Sequence, residues 1–260
     1  MIAAQTDPAN VRARPQIGLD FSHRLMQNAL ALLVVGASIS LSNFALTVTA
    51  KGQTAREPRV PNIYDAQRAV EKYDDSGRID RDRAKVVAAA RRWLDKRVKT
   101  ASKPAIVVDI DETALDNAEE SRINGWVQVK NGPCDLQKGP CGHRAWQAMA
   151  RAKAIASTLT LVKHAHELGA AVFFISGRPS WLREATERNL REQGYEWTRI
   201  ILELNDTTFP SAADFKTPER RKITEAGYSI ILNLGDQESD LKGGYAERTF
   251  KLPNPIYFVK

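Results

Sequence analysis

Four short apolar runs, set far apart and separated by helical patterns, restrict the folds open to this chain more than any other feature. They are Ala105-Ile-Val-Val-Asp-Ile110, Ala170-Ala-Val-Phe-Phe-Ile175, Arg199-Ile-Ile-Leu-Glu203 and Tyr228-Ser-Ile-Ile-Leu-Asn233. Each is rich in β-branched or aromatic residues and apolar almost throughout, the pattern of a strand buried on both faces. The second follows a helical stretch ending at Leu168-Gly169, and the fourth follows one that stops at Gly227. Strands alternating with helices predict βαβ units and a parallel sheet covered on both sides. Upstream, a helical block begins near Asp65 and is clearest from Asp80 to Lys99. There Val86, Ala90, Trp93 and Leu94 recur at helical spacing while Arg91, Arg92, Lys96 and Arg97 face away, so the stripe reads as a core face. A longer irregular insert, about 117–152, separates the first two strands and holds Trp126, Trp146, Cys134 and Cys141.

The N-terminus carries a different signal. Arg12, Arg14 and Arg24 precede an uncharged stretch from Leu25 to Ala50 whose apolar centre is residues 29–35, and the stretch closes on Val48-Thr49-Ala50. A positive flank, an apolar middle and small residues at the end predict a secretory leader, residues 1–50, cleaved after Ala50. The alternative is an uncleaved membrane anchor through residues 25–48, since about 20 apolar residues span a bilayer. Ser38, Ser40, Ser42 and Asn43 dilute the second half and favour cleavage. Residues 51–61 are polar with two prolines and read as a linker to a domain at 62–260, long enough for one sizeable core.

Export makes a disulfide between Cys134 and Cys141 the expected state, with free thiols the alternative. A zinc site is short of ligands, because only His143 stands nearby. Lys and Arg outnumber Asp and Glu 38 to 31, a net charge of +7, but the basic residues are scattered. The densest patch, Arg220-Arg221-Lys222, is too small for a nucleic-acid footprint, so the expected partners are small phosphorylated substrates rather than a polymer. A membrane is a partner only if the N-terminal segment stays uncleaved. Neither GxGxxG nor GxxxxGK[ST] occurs, which removes dinucleotide and P-loop chemistry.

In open α/β sheets ligands bind beyond the carboxyl ends of the strands, and the polar residues collect there. The first strand ends in Asp109-Ile-Asp-Glu-Thr113, the second in Ser176-Gly-Arg178, and the fourth leads into Gly235-Asp-Gln-Glu-Ser-Asp240. Lys216 stands just ahead of Thr217-Pro218, read as the N-cap and first position of the helix before the fourth strand. Of Asp109 and Asp111, one carboxylate can attack phosphorus while the other hands a proton to the leaving oxygen. Together with Asp236 and Asp240 they make a negative cluster that requires a cation, and oxygen ligands without His or Cys favour Mg2+. Ser176, Gly177 and neighbouring backbone N–H groups can hold phosphoryl oxygens, and Lys216 can offset developing charge. A calcium loop is ruled out by Ala114, which stands where the sharp turn needs Gly.

These motifs, with Phe174-Ile preceding Ser176, resemble the four ordered motifs of the haloacid dehalogenase (HAD) superfamily. Asp109 to Asn117 and Gly235 to Leu241 resemble in particular its acid phosphatase branch, which includes bacterial outer-membrane acid phosphatases and plant vegetative storage proteins. The resemblance covers the chain from about Asn62 onward. It implies a Rossmannoid three-layer α/β sandwich with a small cap insert, and Mg2+-dependent hydrolysis of phosphate monoesters, nucleoside monophosphates among the candidates. It further implies Asp109 as nucleophile and metal ligand, Asp111 as acid/base ligating through its backbone carbonyl, and Thr113 orienting the nucleophile. Ser176 would bind phosphate, Lys216 steady the charges, Asp236 ligate metal and Asp240 support its waters. Lys222 is the alternative to Lys216, which is preferred because it can face the strand ends. A phosphotransferase sharing the intermediate and a non-catalytic exported binding or storage protein are the rival readings, and the intact acid cluster counts against the latter.

Overall fold

The computed structural model of the chain describes Val60, residues 62–204 and residues 209–260. The expected leader, its cleavage site and the linker apart from Val60 lie outside the described residues. Those that are described belong to one compact unit, Glu57–Lys260. No helix among them is long and apolar enough to cross a membrane.

The helical block divides in two at Ser76-Gly77. Helix α1 (Ile63–Asp75) starts where the Asn62 side chain accepts the Tyr64 N–H at 2.9 Å, an N-cap that satisfies one orphan donor. Gly77, at φ +62°, turns the chain into α2 (Arg78–Arg97), a conformation that glycine adopts without a Cβ penalty. The foreseen stripe faces the core: Ala90 and Leu94 are buried, and the Trp93 indole N–H donates to Ile231 O at 2.7 Å. Val86 is half-buried beside the buried Val87, which the stripe did not include.

The chain continues through β1 (Pro104–Val108), β2 (Leu115–Asp116), α3 (Ala118–Ile123), α4 (His143–Met149), β3 (Lys153–Ala154), α5 (Ala156–Glu167) and β4 (Ala171–Pro179). It ends with α6 (Arg183–Glu192), β5 (Arg199–Glu203), α7 (Ala212–Glu225), β6 (Ser229–Gly235), α8 (Glu238–Leu241) and β7 (Thr249–Lys251). Five strands form a parallel sheet in the order β5-β4-β1-β6-β7, and β2 pairs with β3 in a small antiparallel ribbon. All four predicted strands are present. β7 adds a fifth that its sequence does not advertise, because only Phe250 of its three residues is buried.

Alternation along β1 divides the core. Ile106 and Val108 join the larger cluster with Leu94 of α2, Leu161 of α5 and Leu190 of α6, while Ala105 and Val107 join Phe215 and Ile223 of α7 on the other face. Truncating a buried leucine such as Leu94 to alanine in such a core costs about 2–5 kcal/mol.

The insert is more ordered than the irregular segment expected from its sequence. It contains α3 and α4, joined by a loop closed by the Cys134–Cys141 disulfide. The Asn124 side chain bonds both the N–H and the carbonyl of Cys141, each at 2.8 Å, which fastens that loop to the end of α3. Trp146 is buried with its N–H on Asn117 Oδ1 at 2.8 Å, and Trp126 is buried too, so both insert tryptophans pack instead of presenting a free face.

Candidate active site

The predicted residues converge at the carboxyl ends of β1, β4 and β6. β1 stops at Val108, and the Asp109 N–H still donates to Leu234 O of β6 at 2.9 Å, so the carboxylate leaves the sheet at the carboxyl end of its central strand. At the end of β6, a Cβ on Gly235 would stand 2.5 Å from the Asp240 Cβ. Glycine is therefore required for α8 to fold back over the strand end. Asp240 Oδ2 accepts the Gln237 N–H at 2.9 Å, which caps that short helix. Its other oxygen faces Lys216 Nζ at 2.6 Å, and the same ammonium meets Asp109 Oδ1 at 2.5 Å. Asp236 is fixed by Thr113 Oγ1 (3.0 Å), Gln237 Nε2 (2.7 Å) and Asn254 Nδ2 (2.8 Å).

Asp109, Asp236 and Asp240 each place an oxygen within 4.8 Å of the others, and all three are buried. Three buried carboxylates against one ammonium leave uncompensated negative charge, and their donor atoms are hard oxygens. The set fits a hard divalent cation. The electrostatics carry the same imprint. Burial pushes the Asp109 carboxyl well above its ordinary value, with Lys216 pulling down and Asp240 and Asp236 pushing up. Asp236 is pushed up to about 6, by burial first and by Asp240 second. Burial alone would lower Lys216, but Asp109 and Asp240 outweigh it and hold the ammonium above its usual range.

Asp111 stands apart from this cluster. Arg178 grips it with two hydrogen bonds, Nη2 to Oδ1 at 2.7 Å and Nε to Oδ2 at 3.0 Å. Asn117 Nδ2 (3.0 Å) and Gln147 Nε2 (3.1 Å) complete its shell. Burial favours the neutral acid, but the Arg178 charge and hydrogen bonds win and hold Asp111 well below the usual carboxylate range. Of the four foreseen metal ligands, three therefore converge by side chain, and only the backbone carbonyl of Asp111 is free of the Arg178 grip.

Two expectations need correction. Thr113 donates to Asp236, not to Asp109, because the turn in which Ile110 O accepts the N–H groups of residues 113, 114 and 115 aims the hydroxyl at β6. Lys216 does not precede its helix but is its fifth residue. Ser211 and Asp214 form a capping box one turn earlier, with the Ser211 N–H on Asp214 Oδ2 at 2.9 Å. Thr217 bonds Lys242 O instead of capping, and Pro218 lies inside the helix. Lys216 nevertheless faces the strand ends, paired with Asp109 and Asp240, whereas Lys222 is exposed and paired with Glu219.

Ser176 is buried at the end of β4, where its Oγ accepts the Arg178 N–H at 3.3 Å, and it lines a cleft of about 560 Å³ with Gly177, Asp109, Asp111 and Lys216. The insert supplies one wall of that cleft. A second cavity, about 800 Å³ along β5, holds none of the acid cluster. Arg178, Asn117, Gln147 and Asn254 were not singled out from sequence. Arg178 and Asn117 lie inside quoted motifs, and Gln147 and Asn254 carry no local signal.

A parallel α/β sheet with these carboxylates beyond its strand ends defines a HAD-like protein. More narrowly, the chain belongs to the HAD superfamily subfamily IIIB (acid phosphatase), whose sequence model matches residues 36–260. It is 32% identical over 185 residues to a stem 28 kDa glycoprotein of Glycine max, covering 69% of this chain and 70% of that one. It is also 32% identical over 155 residues to acid phosphatase 1 of Solanum lycopersicum, covering 59% of this chain and 58% of the relative. A class C acid phosphatase from Bacillus anthracis with tungstate bound shares the fold, at a TM-score of 0.59 and 23% identity over 75% of this chain and 86% of that one.

Proposed function

We propose that this protein is an exported acid phosphatase that hydrolyses phosphate monoesters with Mg2+ through an aspartyl-phosphate on Asp109. The observation that carries the reading is the division of labour between two neighbouring acids. Asp109 joins Asp236, Asp240 and Lys216 in one buried cluster, while Arg178 holds Asp111 outside it. Asp109 attacks phosphorus, the ester oxygen leaves with a proton from Asp111, and in the second step ionised Asp111 takes a proton from the water that attacks the acyl phosphate. The Arg178 pair holds Asp111 ionised, the form this second step needs. For the first step Asp111 would have to take up a proton from solvent as the substrate binds and that pair loosens. Asp109, Asp236 and the Asp111 carbonyl would hold Mg2+, with Asp240 supporting its waters, and the bound ion would offset charge on the transferring phosphoryl group. Ser176 and Gly177, which line the cleft, would hold phosphoryl oxygens, and Lys216, paired with Asp109 and Asp240, would steady the charges.

Phosphate release from p-nitrophenyl phosphate tests this. Turnover should require Mg2+, vanish with EDTA and fall to background in Asp109→Asn. Absence of release from the intact protein under all metal conditions would leave a non-catalytic binding protein as the better reading. Export rests on the basic flank and apolar run of the N-terminal segment. N-terminal sequencing of secreted material should find Lys51 first, and a membrane-bound form retaining residues 25–48 would refute cleavage.

A further inference from the structure

The leaving group of a bound phosphate ester must face Asp111, which supplies its proton, and Asp111 faces the insert. Gln147 of α4 donates to Asp111 Oδ2, and its own Oε1 accepts from Arg144 Nη1 at 3.0 Å. The Arg144 guanidinium is thus one side-chain amide away from the proton donor. Lys130 is its neighbour. The Arg144 N–H donates to Lys130 O at 3.4 Å and the His143 N–H to Val129 O at 2.7 Å, so the two segments run side by side. The Cys134–Cys141 disulfide closes the loop between them. Both Lys130 and Arg144 line the cleft.

Among the described residues these two lack a direct ion-pair partner, although the charges of Asp111 and Glu203 act on Arg144 from a distance. Arg178 is paired with Asp111, and Lys216 with Asp109 and Asp240. Neither Lys130 nor Arg144 forms an ion pair among the described residues. Glu203 of β5 lines the same cleft and bonds neither of them. Burial raises its carboxyl, with Arg144 and Lys130 pulling the other way from beyond ion-pair range. Arg144 is half-buried, and burial lowers its pKa. A guanidinium kept partly dry with most of its donors unengaged favours an anion of matching geometry.

We propose that Lys130 and Arg144 form a second anion subsite, which selects phosphate esters whose leaving group carries a negative charge close to the scissile oxygen. Diphosphates and phosphorylated hydroxy acids have that chemistry, whereas esters of simple alcohols and phenols do not. The inference rests on the phosphatase reading for its placement of the leaving group, so its test must not depend on turnover.

Binding to the Asp109→Asn protein at fixed Mg2+, read by titration calorimetry, meets that requirement with inorganic orthophosphate and inorganic pyrophosphate as probes. Pyrophosphate should bind about tenfold tighter than orthophosphate, the scale of one well-placed charge contact. In Lys130→Gln/Arg144→Gln the advantage should shrink to about twofold or less, while orthophosphate affinity, which reports the inner site, stays put. Arg144→Lys, which keeps the charge, should restore part of the advantage. A pyrophosphate advantage that survives the double substitution, or is missing from the parent, overturns the subsite. Turnover of p-nitrophenyl phosphate by the intact protein is scored separately. Turnover without the advantage sinks the subsite alone, and the advantage without turnover sinks the catalytic reading alone.

Discussion

Asp109 and Asp111 are separated by one residue and are treated oppositely by their surroundings. On a continuing strand they would point to the same side, but β1 stops at Val108 and the turn sends Asp109 towards Lys216 and Asp111 towards Arg178. Glu112 sits in the left-handed region at φ +53°, uncommon for a residue with a Cβ. It is held there by the Asn117 N–H on Oε1 at 3.2 Å and by the Tyr257 hydroxyl on Oε2. On the far side of Asp111, the buried His143 Nδ1 lies 2.8 Å from Glu120 Oε2, and His143 Nε2 lies 2.9 Å from the Gln147 amide, fixing the group that reaches Asp111. This separation predicts different failures. Asp111→Asn keeps the nucleophile and loses the proton carrier, so release of an alkyl alcohol should fall by about 10²–10⁴-fold. With p-nitrophenyl phosphate the leaving group departs with little help, and hydrolysis of the acyl phosphate becomes limiting. Stopped-flow traces should then show a burst of nitrophenol followed by a slow phase, with phosphate trapped on the peptide containing Asp109. A missing burst together with turnover by Asp109→Asn would reverse the roles.

At the scale of elements, what was legible followed from burial. Three of the predicted strands, β1, β4 and β6, announce themselves because they are covered on both sides. β5 does so because Ile200 and Leu202 are buried and Ile201 partly so, and α2 because one face alternates with solvent at the helical period. β7 could not, since an edge strand with one buried residue has no pattern to show. The helices of the insert were hidden for another reason. α3 and α4 have six and seven residues, too short to display periodicity, and they are held by distant partners such as Asn117 on Trp146. The start of α7 was misplaced because Thr217-Pro218 imitates a helix beginning, while the decisive signal, Ser211 with Asp214, lies earlier. The site divides in the same way. Asp109, Asp236, Asp240 and Ser176 stand in ordered motifs at or near strand ends, and Lys216 stands in the first turns of α7. The Arg178–Asp111 pair spans 67 positions and the Asn254–Asp236 bond 18, so pairing partners emerge only when β4 and the C-terminal segment are in place.

For the whole molecule, the acid cluster couples stability to pH and to metal. Asp236 holds its proton up to about pH 6 in the folded protein, against an ordinary carboxylate value of about 3.9 when unfolded. A raised folded pKa means that this group's contribution is fully present below the unfolded value and is lost as pH rises through about 6. Asp109, shifted in the same direction, adds to the loss. Without metal, the cluster therefore becomes a growing liability between about pH 4 and pH 7. A divalent cation competes with those protons for the same oxygens and stabilises only the folded state, by an amount that grows with its concentration relative to Kd. Thermal unfolding with and without Mg2+ should accordingly show a small rise in Tm at pH 5 and a larger one at pH 7.5. In Asp236→Asn the rise at pH 7.5 should shrink, and the metal-free protein should lose less stability between the two pH values. A Tm increment equal at both pH values, or unchanged in Asp236→Asn, would mean that the ion stabilises the protein somewhere other than at these three carboxylates.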